Sequence, residues 1–219
     1  MTKSGLSNHG MPLGPEGSAG DVPREIWRDE RTRNLVSLLA QTPIIPAVRI
    51  PERLAAAASA PGKIVYFLFG DPDNIEDMTR VIIEHGKLPI QNLDLMSGMA
   101  RDQSAVSFLA HRGVQGIIST HPEPLRAARR MGLFAIQRTF LIDSGAVESS
   151  LRNLGQFSPD ALEVLPAIAA PKLLPRLRSA HATLPVIAGG LITSMQEAEH
   201  CFQNGVSAIS VSDDKLWLV

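Results

Sequence analysis

Eight short apolar segments recur along this chain, and a helical pattern separates each one from the next. The segments are Ile44–Val48, Ile64–Phe69, Leu88–Leu95, Gly116–Ser119, Leu133–Gln137, Ala161–Leu165, Val186–Ala188 and Ser207–Val211. Most are continuous apolar runs rather than strict alternations, which is typical of parallel strands covered on both faces. This rhythm constrains the fold more strongly than any other feature of the sequence.

The segments between the strands carry the punctuation of helices. Proline recurs in the first turn and glycine directly after the last turn. The predicted helices are Pro51–Ala60, Ile75–His85, Asp102–Arg112, Pro122–Met131, Ser144–Phe157, Pro171–His181 and Ser194–Asn204. Eight strands joined in this way predict an α/β fold, a TIM-like (β/α)8 barrel, because an open doubly wound sheet usually needs only about five or six strands.

Both ends of the chain depart from the repeat. The residues after the eighth strand, Asp213–Val219, leave room only for a truncated last helix. An N-terminal helix over Arg24–Leu39 precedes the first strand, and we expect it to cover, together with Leu216 and Trp217, the gap left by the missing helix. Residues 1–22 are rich in Gly, Ser and Pro and predict a flexible N-terminal tail, so residues 23–219 form a single barrel domain.

Bulk properties exclude several classes of protein. The net charge of −1 provides no global basic field for nucleic acid. A single cysteine, Cys201, excludes an internal disulfide framework and a Cys-rich zinc site, and it fits a reducing cytoplasm. No apolar run reaches the roughly 18 to 20 residues that span a bilayer. We therefore expect a cytoplasmic protein with no membrane partner; the sequence predicts no particular oligomeric state.

The seventh strand runs into Gly189 and Gly190, and a helix begins shortly afterwards. Adjacent glycines let backbone N–H groups approach an anion, and a helix N-terminus adds partial positive charge. Ser210 and Ser212 end the eighth strand, which is the neighbour of the seventh in a barrel. The pattern predicts that these four residues bind a phosphate group, as loops 7 and 8 of such barrels often do. The alternative is a tight turn that requires glycine for its geometry alone.

Charged residues end several other strands and should meet at the same mouth. They are Arg49, Asp94, Arg138 and Glu163. One interpretation is that they bind the polar groups of a ligand. The other is an internal ion pair between a carboxylate and Arg49 or Arg138, because a carboxylate inside a barrel must be partnered. Both can hold together, and in an enzyme Asp94 and Glu163 would act as an acid/base pair.

Signals for catalysis are few. No lysine ends a strand, so Schiff-base chemistry lacks its nucleophile. No residue spacing indicates a metal site, and no cofactor motif occurs. His121 follows the fourth strand, where it could act as a general base or simply begin a helix. These residues permit a protein that is not an enzyme and that needs no metal or cofactor, although Asp71 and Asp73 with Asp94 could still hold Mg²⁺.

Two predicted helices are locally basic. Arg126, Arg129 and Arg130 lie on one, and Lys172, Arg176 and Arg178 lie on another. Such runs are usually solvated helix faces. On a chain with almost no net charge they are also candidates for contact with an anionic partner.

Taken as an ordered set, the strand ends resemble one known family. The motifs are Pro43–Arg49, Phe67–Asp71, Gly116–Thr120, Ile136–Ser144, Glu163–Pro166, Ile187–Ile192 and Leu216-Trp217. This set is similar to the glycerol uptake operon antiterminator regulatory family, over about Gln41 to Trp217. Three positions differ from its usual pattern: His121 stands in place of lysine, Ala167 in place of glycine, and Val211 in place of threonine.

The resemblance implies a non-catalytic barrel of the bacterial cytoplasm that senses glycerol 3-phosphate. It also implies action on the leader of messenger RNA, where the regulator prevents premature termination of glycerol-utilisation genes. RNA would then contact an outer surface through basic residues, for which Arg126, Arg129, Arg130 and Lys172 are the candidates. The alternative is a barrel enzyme, an isomerase or a phosphodiesterase, acting on a small phosphate ester.

Overall fold

The computed structural model describes residues 24–218, with side chains from residue 32 onward. The predicted tail, residues 1–22, lies outside the described residues. Eight parallel strands close into a barrel in chain order, and β1 pairs with β8. The strands are β1 Ile44–Val48, β2 Ile64–Phe67, β3 Leu88–Asn92, β4 Gly116–Ser119, β5 Phe134–Phe140, β6 Ala161–Leu165, β7 Val186–Gly189 and β8 Ala208–Val211. The predicted TIM-like barrel is confirmed.

Helices alternate with the strands along the described chain. They are α1 Arg24–Gln41, α2 Leu54–Ser59, α3 Ile75–Glu84, α4 Gln103–His111, α5 Pro122–Arg130, α6 Ser144–Gln156, α7 Ala170–Ala180 and α8 Met195–Gln203. Short 3-10 turns occupy Pro51–Arg53, Leu93–Leu95, Ala167–Ala169 and Asp214–Leu216. Among the described residues, the last of these turns is the only helical segment after β8, as the predicted truncation of the final helix requires. None of the described helices is both long and apolar enough to cross a membrane.

The ends of two strands differ from prediction by three residues, for tertiary reasons, and the other strand boundaries by two residues or fewer. Residues Leu93–Leu95 leave β3 as a 3-10 turn, because the Asn92 side chain accepts a hydrogen bond from the Asp94 N–H at 2.9 Å. Strand β5 continues three residues beyond the predicted end at Gln137, because its register with β6 extends to Phe140 opposite Leu165. The apolar pattern alone contains neither contact.

Alternate residues of each strand point into the barrel, and the parallel register stacks them in layers of four. The odd-numbered strands contribute one layer of isoleucines, Ile45, Ile90, Ile136 and Ile187. Below it, nearer the N-terminal ends of the strands, lie Ile64, Gly116, Ala161 and Ala208. All are buried. The barrel interior is thus a packed core of this fold type rather than a pore.

Helix α1 closes the N-terminal end of the barrel. Its Leu35 and Leu39 are fully buried in the same cluster as the inward-facing strand residues. Glycine and two alanines in the lowest layer leave the volume that these leucines fill. The expectation that α1 covers the gap left by the missing helix was therefore wrong. The helix packs beneath the barrel, because the small inward-facing residues there leave space for its leucines.

The C-terminal turn lies on the outside of the barrel, as predicted. Leu216 and Trp217 pack in the outer core, between the strands and the helices. The Trp217 indole N–H donates a hydrogen bond to the Val211 carbonyl at 2.8 Å. Asp214 forms an ion pair with Arg53, which immediately precedes α2. These contacts attach the chain end to the first βα unit.

Candidate functional site

Above the isoleucine layer the barrel interior becomes polar. The register places two further layers toward the C-terminal mouth. They consist of Tyr66, Ile118, Glu163 and Ser210, followed by Ala47, Asn92, Arg138 and Gly189. Polar side chains are therefore concentrated at the end of the barrel where active and binding sites of this fold lie.

Glu163 is the centre of this cluster. It is 0% exposed, and its carboxylate accepts hydrogen bonds from Arg138 Nε and from Ser210 Oγ, both at 2.7 Å. The internal ion pair anticipated from the sequence thus forms with Arg138, whereas Arg49 is exposed beyond the end of β1. In the described part of the chain, Arg138 has no other hydrogen-bond partner. Its remaining N–H groups are available to a ligand oxygen.

Two buried atoms of the same layers have no hydrogen-bond partner among the described residues. They are Tyr66 Oη and Asn92 Nδ2, and both residues are 0% exposed. Burial, and then the Glu163 carboxylate, raise the pKa of Tyr66 well above its ordinary value, while Arg138 acts in the opposite direction. Tyr66 is therefore a neutral phenol at physiological pH.

Sequence reasoning missed both residues: Tyr66 lies inside an apolar run, and Asn92 lies within the single strand predicted over Leu88–Leu95. The available signal was their position in the alternation of inward-facing and outward-facing residues along each strand. Tyr66 and Asn92 occupy inward-facing strand positions near the mouth, where an apolar side chain would otherwise complete the core. A count of alternate residues along β2 and β3 would have singled them out.

The four residues predicted to bind phosphate occupy two levels. Gly189 and Ser210 lie in the buried layers, and Ser210 Oγ is already engaged with Glu163. Gly190 and Ser212 are exposed at the rim above them. The structure thus brings all four to the mouth and leaves the rim pair accessible to an anion.

The two glycines are required for different reasons. A Cβ on Gly189 would collide with Ser210 Oγ and lie 3.2 Å from Glu163 Oε1. Gly190 has φ +77°, a conformation that side chains disfavour, and its carbonyl accepts a hydrogen bond from the Ala167 N–H at 3.3 Å. Packing and turn geometry therefore account for both glycines, and neither excludes a phosphate at the rim.

The N-terminus of α8 already faces an anionic group. The Glu197 carboxylate accepts hydrogen bonds from the Thr193 N–H at 2.7 Å and the Thr193 hydroxyl at 3.0 Å, while Ser194 Oγ caps the helix. These bonds lower the pKa of Glu197. This is a capping box, so the helix terminus expected to attract phosphate is occupied by its own carboxylate. An anion would have to be bound by the strand-end loops instead.

Asp94 belongs to a separate cluster. Its carboxylate accepts hydrogen bonds from Ser119 Oγ at 2.6 Å, the Thr120 N–H at 2.7 Å and Thr120 Oγ1 at 2.9 Å. Burial raises the pKa of Asp94, but these bonds, with a further one from His121, outweigh it and lower the pKa. Asp94 therefore ties the end of β3 to the loop after β4. Among the described residues, no hydrogen bond joins Asp94 to Glu163, so the two carboxylates belong to different clusters of the mouth.

His121 lies at the edge of the Asp94 cluster. Its Nδ1 is 3.1 Å from Thr120 Oγ1 and 3.3 Å from Asp94 Oδ1, and the side chain is 54% exposed. Its backbone precedes α5 as the N-cap residue, while its side chain makes no capping bond. The residue thus begins the helix with its backbone and contacts Asp94 with its imidazole.

The basic residues proposed for RNA contact fall on two surfaces. Arg126, Arg129 and Arg130 lie in the second half of α5, which runs away from the mouth, whereas Lys172 is exposed in the first turn of α7, beside the mouth. Arg129 is 15% exposed, and its guanidinium binds the Ser158 carbonyl and lies 3.8 Å from the Asp160 carboxylate. Arg129 therefore stabilises the fold, and only a small part of its side chain is exposed to a partner.

The two large surface grooves lie beside the mouth rather than in it. They measure roughly 740 and 660 Å³ and meet at Ile168, one against α8 and the other between α6 and α7. Both are lined mainly by apolar atoms. The buried polar groups that suit a small polar ligand are in the barrel, so we assign the candidate site to the mouth despite the size of the grooves.

These features define a class of protein: a (β/α)8 barrel with a built polar cluster at its mouth. The described residues include no group of three His, Cys, Asp or Glu side chains that could hold a metal ion. Residues 44–217 match the family described as glycerol-3-phosphate responsive antiterminator. The chain belongs to this family.

Individual relatives agree with the family match. The uncharacterized protein YgcP of Escherichia coli K12 is 32% identical over 184 residues, which cover 84% of this chain and 95% of that protein. The glycerol uptake operon antiterminator regulatory protein of Listeria monocytogenes has a similar crystal structure, with a TM-score of 0.75, 28% identity, and coverage of 80% of this chain and 95% of that chain. An antiterminator-related protein of Thermotoga maritima gives a TM-score of 0.72, 29% identity, and coverage of 80% and 96%.

Proposed function

We propose that this protein is a cytoplasmic regulator that binds glycerol 3-phosphate at the barrel mouth and, in response, acts on leader messenger RNA to prevent premature termination. One observation carries the ligand half of the proposal. The mouth contains a buried Arg138–Glu163 pair flanked by donors without partners, in a family described by its response to this ester. Such convergent polar groups in a concave site suit a small polar ligand.

The two levels of the mouth suit the two ends of the ester. The phosphate would lie at the exposed rim, where Gly190 and Ser212 offer donors and Arg49 adds positive charge. The glycerol hydroxyls would reach the buried layers, where Glu163 accepts and Arg138 donates hydrogen bonds. Placing the dianion at the rim keeps it partly solvated, which avoids the free energy penalty of burying it.

The chemistry of the carboxylates supports a binding role over a catalytic one. Glu163 is engaged by two donors, and the pKa of Asp94 is lowered by four hydrogen bonds. A general acid or base works best with a pKa near the operating pH and with a free position for the transferred proton. Asp94 does not meet the first condition, which argues against its use as the general acid or base of an isomerase or phosphodiesterase.

The ligand half is tested by thermal unfolding with glycerol 3-phosphate, with glycerol and inorganic phosphate as separate controls. A ligand at 100 times its dissociation constant adds about 2.7 kcal/mol to the free energy of unfolding. We expect Ser212→Asp to remove this effect by charge repulsion, whereas the exposed Ser104→Asp on α4 retains it. Formation of a product from the ester would overturn the proposal in favour of an enzyme.

The RNA half is tested by titrating leader RNA at several salt concentrations, with and without the ester. The logarithm of the binding constant should fall linearly with the logarithm of the salt concentration, because each phosphate contact releases counterions. Lys172→Glu and Arg126→Glu distinguish the two basic surfaces. We expect only one of them to reduce the salt slope. Absence of binding under either condition would refute the RNA half and leave a ligand-binding protein.

A further inference from the structure

We propose that Tyr66 Oη and Asn92 Nδ2 recognise the hydroxyl oxygens of the ligand, so that the ligand enters the barrel with its polyol end first. This inference rests on the proposed function and assigns the specificity of the same site. It is carried by the placement of two buried donors, without partners, in the layers that contain Glu163 and Arg138.

Unpartnered buried donors require an explanation. More than about 90% of buried polar groups in proteins have a hydrogen-bond partner, because a buried donor or acceptor without a hydrogen bond destabilises the fold. Among the described residues, Tyr66 Oη and Asn92 Nδ2 lack one, and they lie in neighbouring layers of the barrel interior. A ligand that supplies oxygen acceptors at this point would satisfy both.

The Asn92 amide is fixed in orientation. Its Oδ1 accepts the Asp94 N–H at 2.9 Å, which begins the 3-10 turn after β3. A flipped amide would place an NH₂ group against that N–H. Asn92 therefore offers the interior a donor rather than an acceptor, and the ligand atom opposite it must accept.

Charge at this level favours hydroxyl groups over phosphate. Glu163 and Arg138 form an ion pair at 2.7 Å, so the layers carry no net charge. A phosphate dianion here would be buried beside the Glu163 carboxylate without an excess of positive charge. A hydroxyl group both donates and accepts, so it can donate to Glu163 and accept from Tyr66 or Asn92.

The test compares sn-glycerol 3-phosphate with n-propyl phosphate, which has the same phosphate and no free hydroxyl. Calorimetry on the full chain gives both dissociation constants and hence the preference of each variant. We expect Tyr66→Phe and Asn92→Ala each to reduce the preference by about 10-fold, which corresponds to one lost hydrogen bond of roughly 1.4 kcal/mol. Because the ratio compares two ligands on one protein, a lower stability of either variant does not affect it.

Ser150→Ala is the matched control. Ser150 Oγ is also buried and has no hydrogen-bond partner in the described part of the chain, but it lies on α6, outside the barrel interior. We expect this variant to keep the wild-type preference. Thermal unfolding without ligand adds a second readout: Tyr66→Phe removes an unsatisfied hydroxyl, so its stability should equal or exceed that of the wild type while its preference falls.

The outcomes separate the two proposals. If the wild type binds glycerol 3-phosphate and both variants keep the full preference, the hydroxyl assignment is overturned and the proposed function stands. If Tyr66→Phe loses stability and keeps its preference, its hydroxyl has a structural role and the assignment is overturned. If the wild type binds neither ester, both proposals fail.

Discussion

At the scale of single residues, the buried Glu163 carboxylate depends on its two donors. Replacing it by glutamine leaves the Arg138 guanidinium buried without a counter-charge, and breaking such pairs costs about 3–5 kcal/mol. We expect Glu163→Gln to lower the free energy of unfolding in urea by that amount. Glu148→Gln is the control, because Glu148 pairs with Arg176 at 2.8 Å on the surface. Its effect should stay below about 1 kcal/mol. Equal effects would show that the buried pair is not intact.

Gly189 gives a second prediction at this scale. An alanine there must displace Ser210 Oγ, which is bound to Glu163, so we expect Gly189→Ala to destabilise the protein by about 1–3 kcal/mol. At Gly155 in α6, an added methyl group would meet no other atom within 4 Å. Gly155→Ala should therefore stabilise by about 0.5–1 kcal/mol, through helix propensity. Thermal unfolding measures the change in stability of both variants. No loss of stability in Gly189→Ala would contradict the close packing of Gly189 against Ser210 Oγ.

Residue roles were predictable from the sequence only as alternatives. Arg138 and Glu163 each end a predicted strand with a charge, which indicated either an ion pair or a ligand site. The sequence could not distinguish Arg138 from Arg49 as the partner of the carboxylate. Arg129 could not be recognised as structural, because its partners at Ser158 and Asp160 lie a full helix away in sequence. Tyr66 was hidden by the apolar run around it.

At the scale of elements, local signals were sufficient for most boundaries. Asp102, Asp143 and Ser194 each cap a helix by accepting the N–H three residues on, and this pattern is readable from sequence. The end of β3 could not be predicted from the sequence, because Asp94 leaves the strand to accept hydrogen bonds from β4 and the loop that follows it. Contacts between distant elements determined the segments that were mispredicted.

The connection made by Asp94 between β3 and β4 predicts a pH dependence. The pKa of Asp94 in the folded protein lies below the ordinary value of 3.8, so its bonds stabilise the fold above that pH and this contribution is lost as the pH falls through the folded pKa. Asp94→Asn has no such titration. We expect the free energy of unfolding of the wild type to fall more steeply than that of Asp94→Asn between about pH 5 and pH 3. Parallel profiles would show that the carboxylate does not titrate with folding.

At the scale of the whole molecule, the number of strands was enough to predict the barrel. A closed parallel sheet of eight strands follows from the repeat itself, and family membership agrees with it. The place of α1 did not follow, because it depends on residue volumes in a layer built from four distant strands. The function did not follow from the fold either, since barrels of this kind support many activities and function depends on the site.

The closure of the barrel by α1 gives the last prediction. Leu39 is 1% exposed among the inward-facing residues, whereas Val36 on the same helix is 42% exposed. Truncating a core leucine leaves a cavity and costs about 2–5 kcal/mol, so we expect Leu39→Ala to lower the free energy of unfolding by that amount in urea. Val36→Ala should change it by less than about 0.5 kcal/mol. Equal effects of the two variants would contradict the burial of Leu39 among the inward-facing residues, and with it the closure of the barrel by α1.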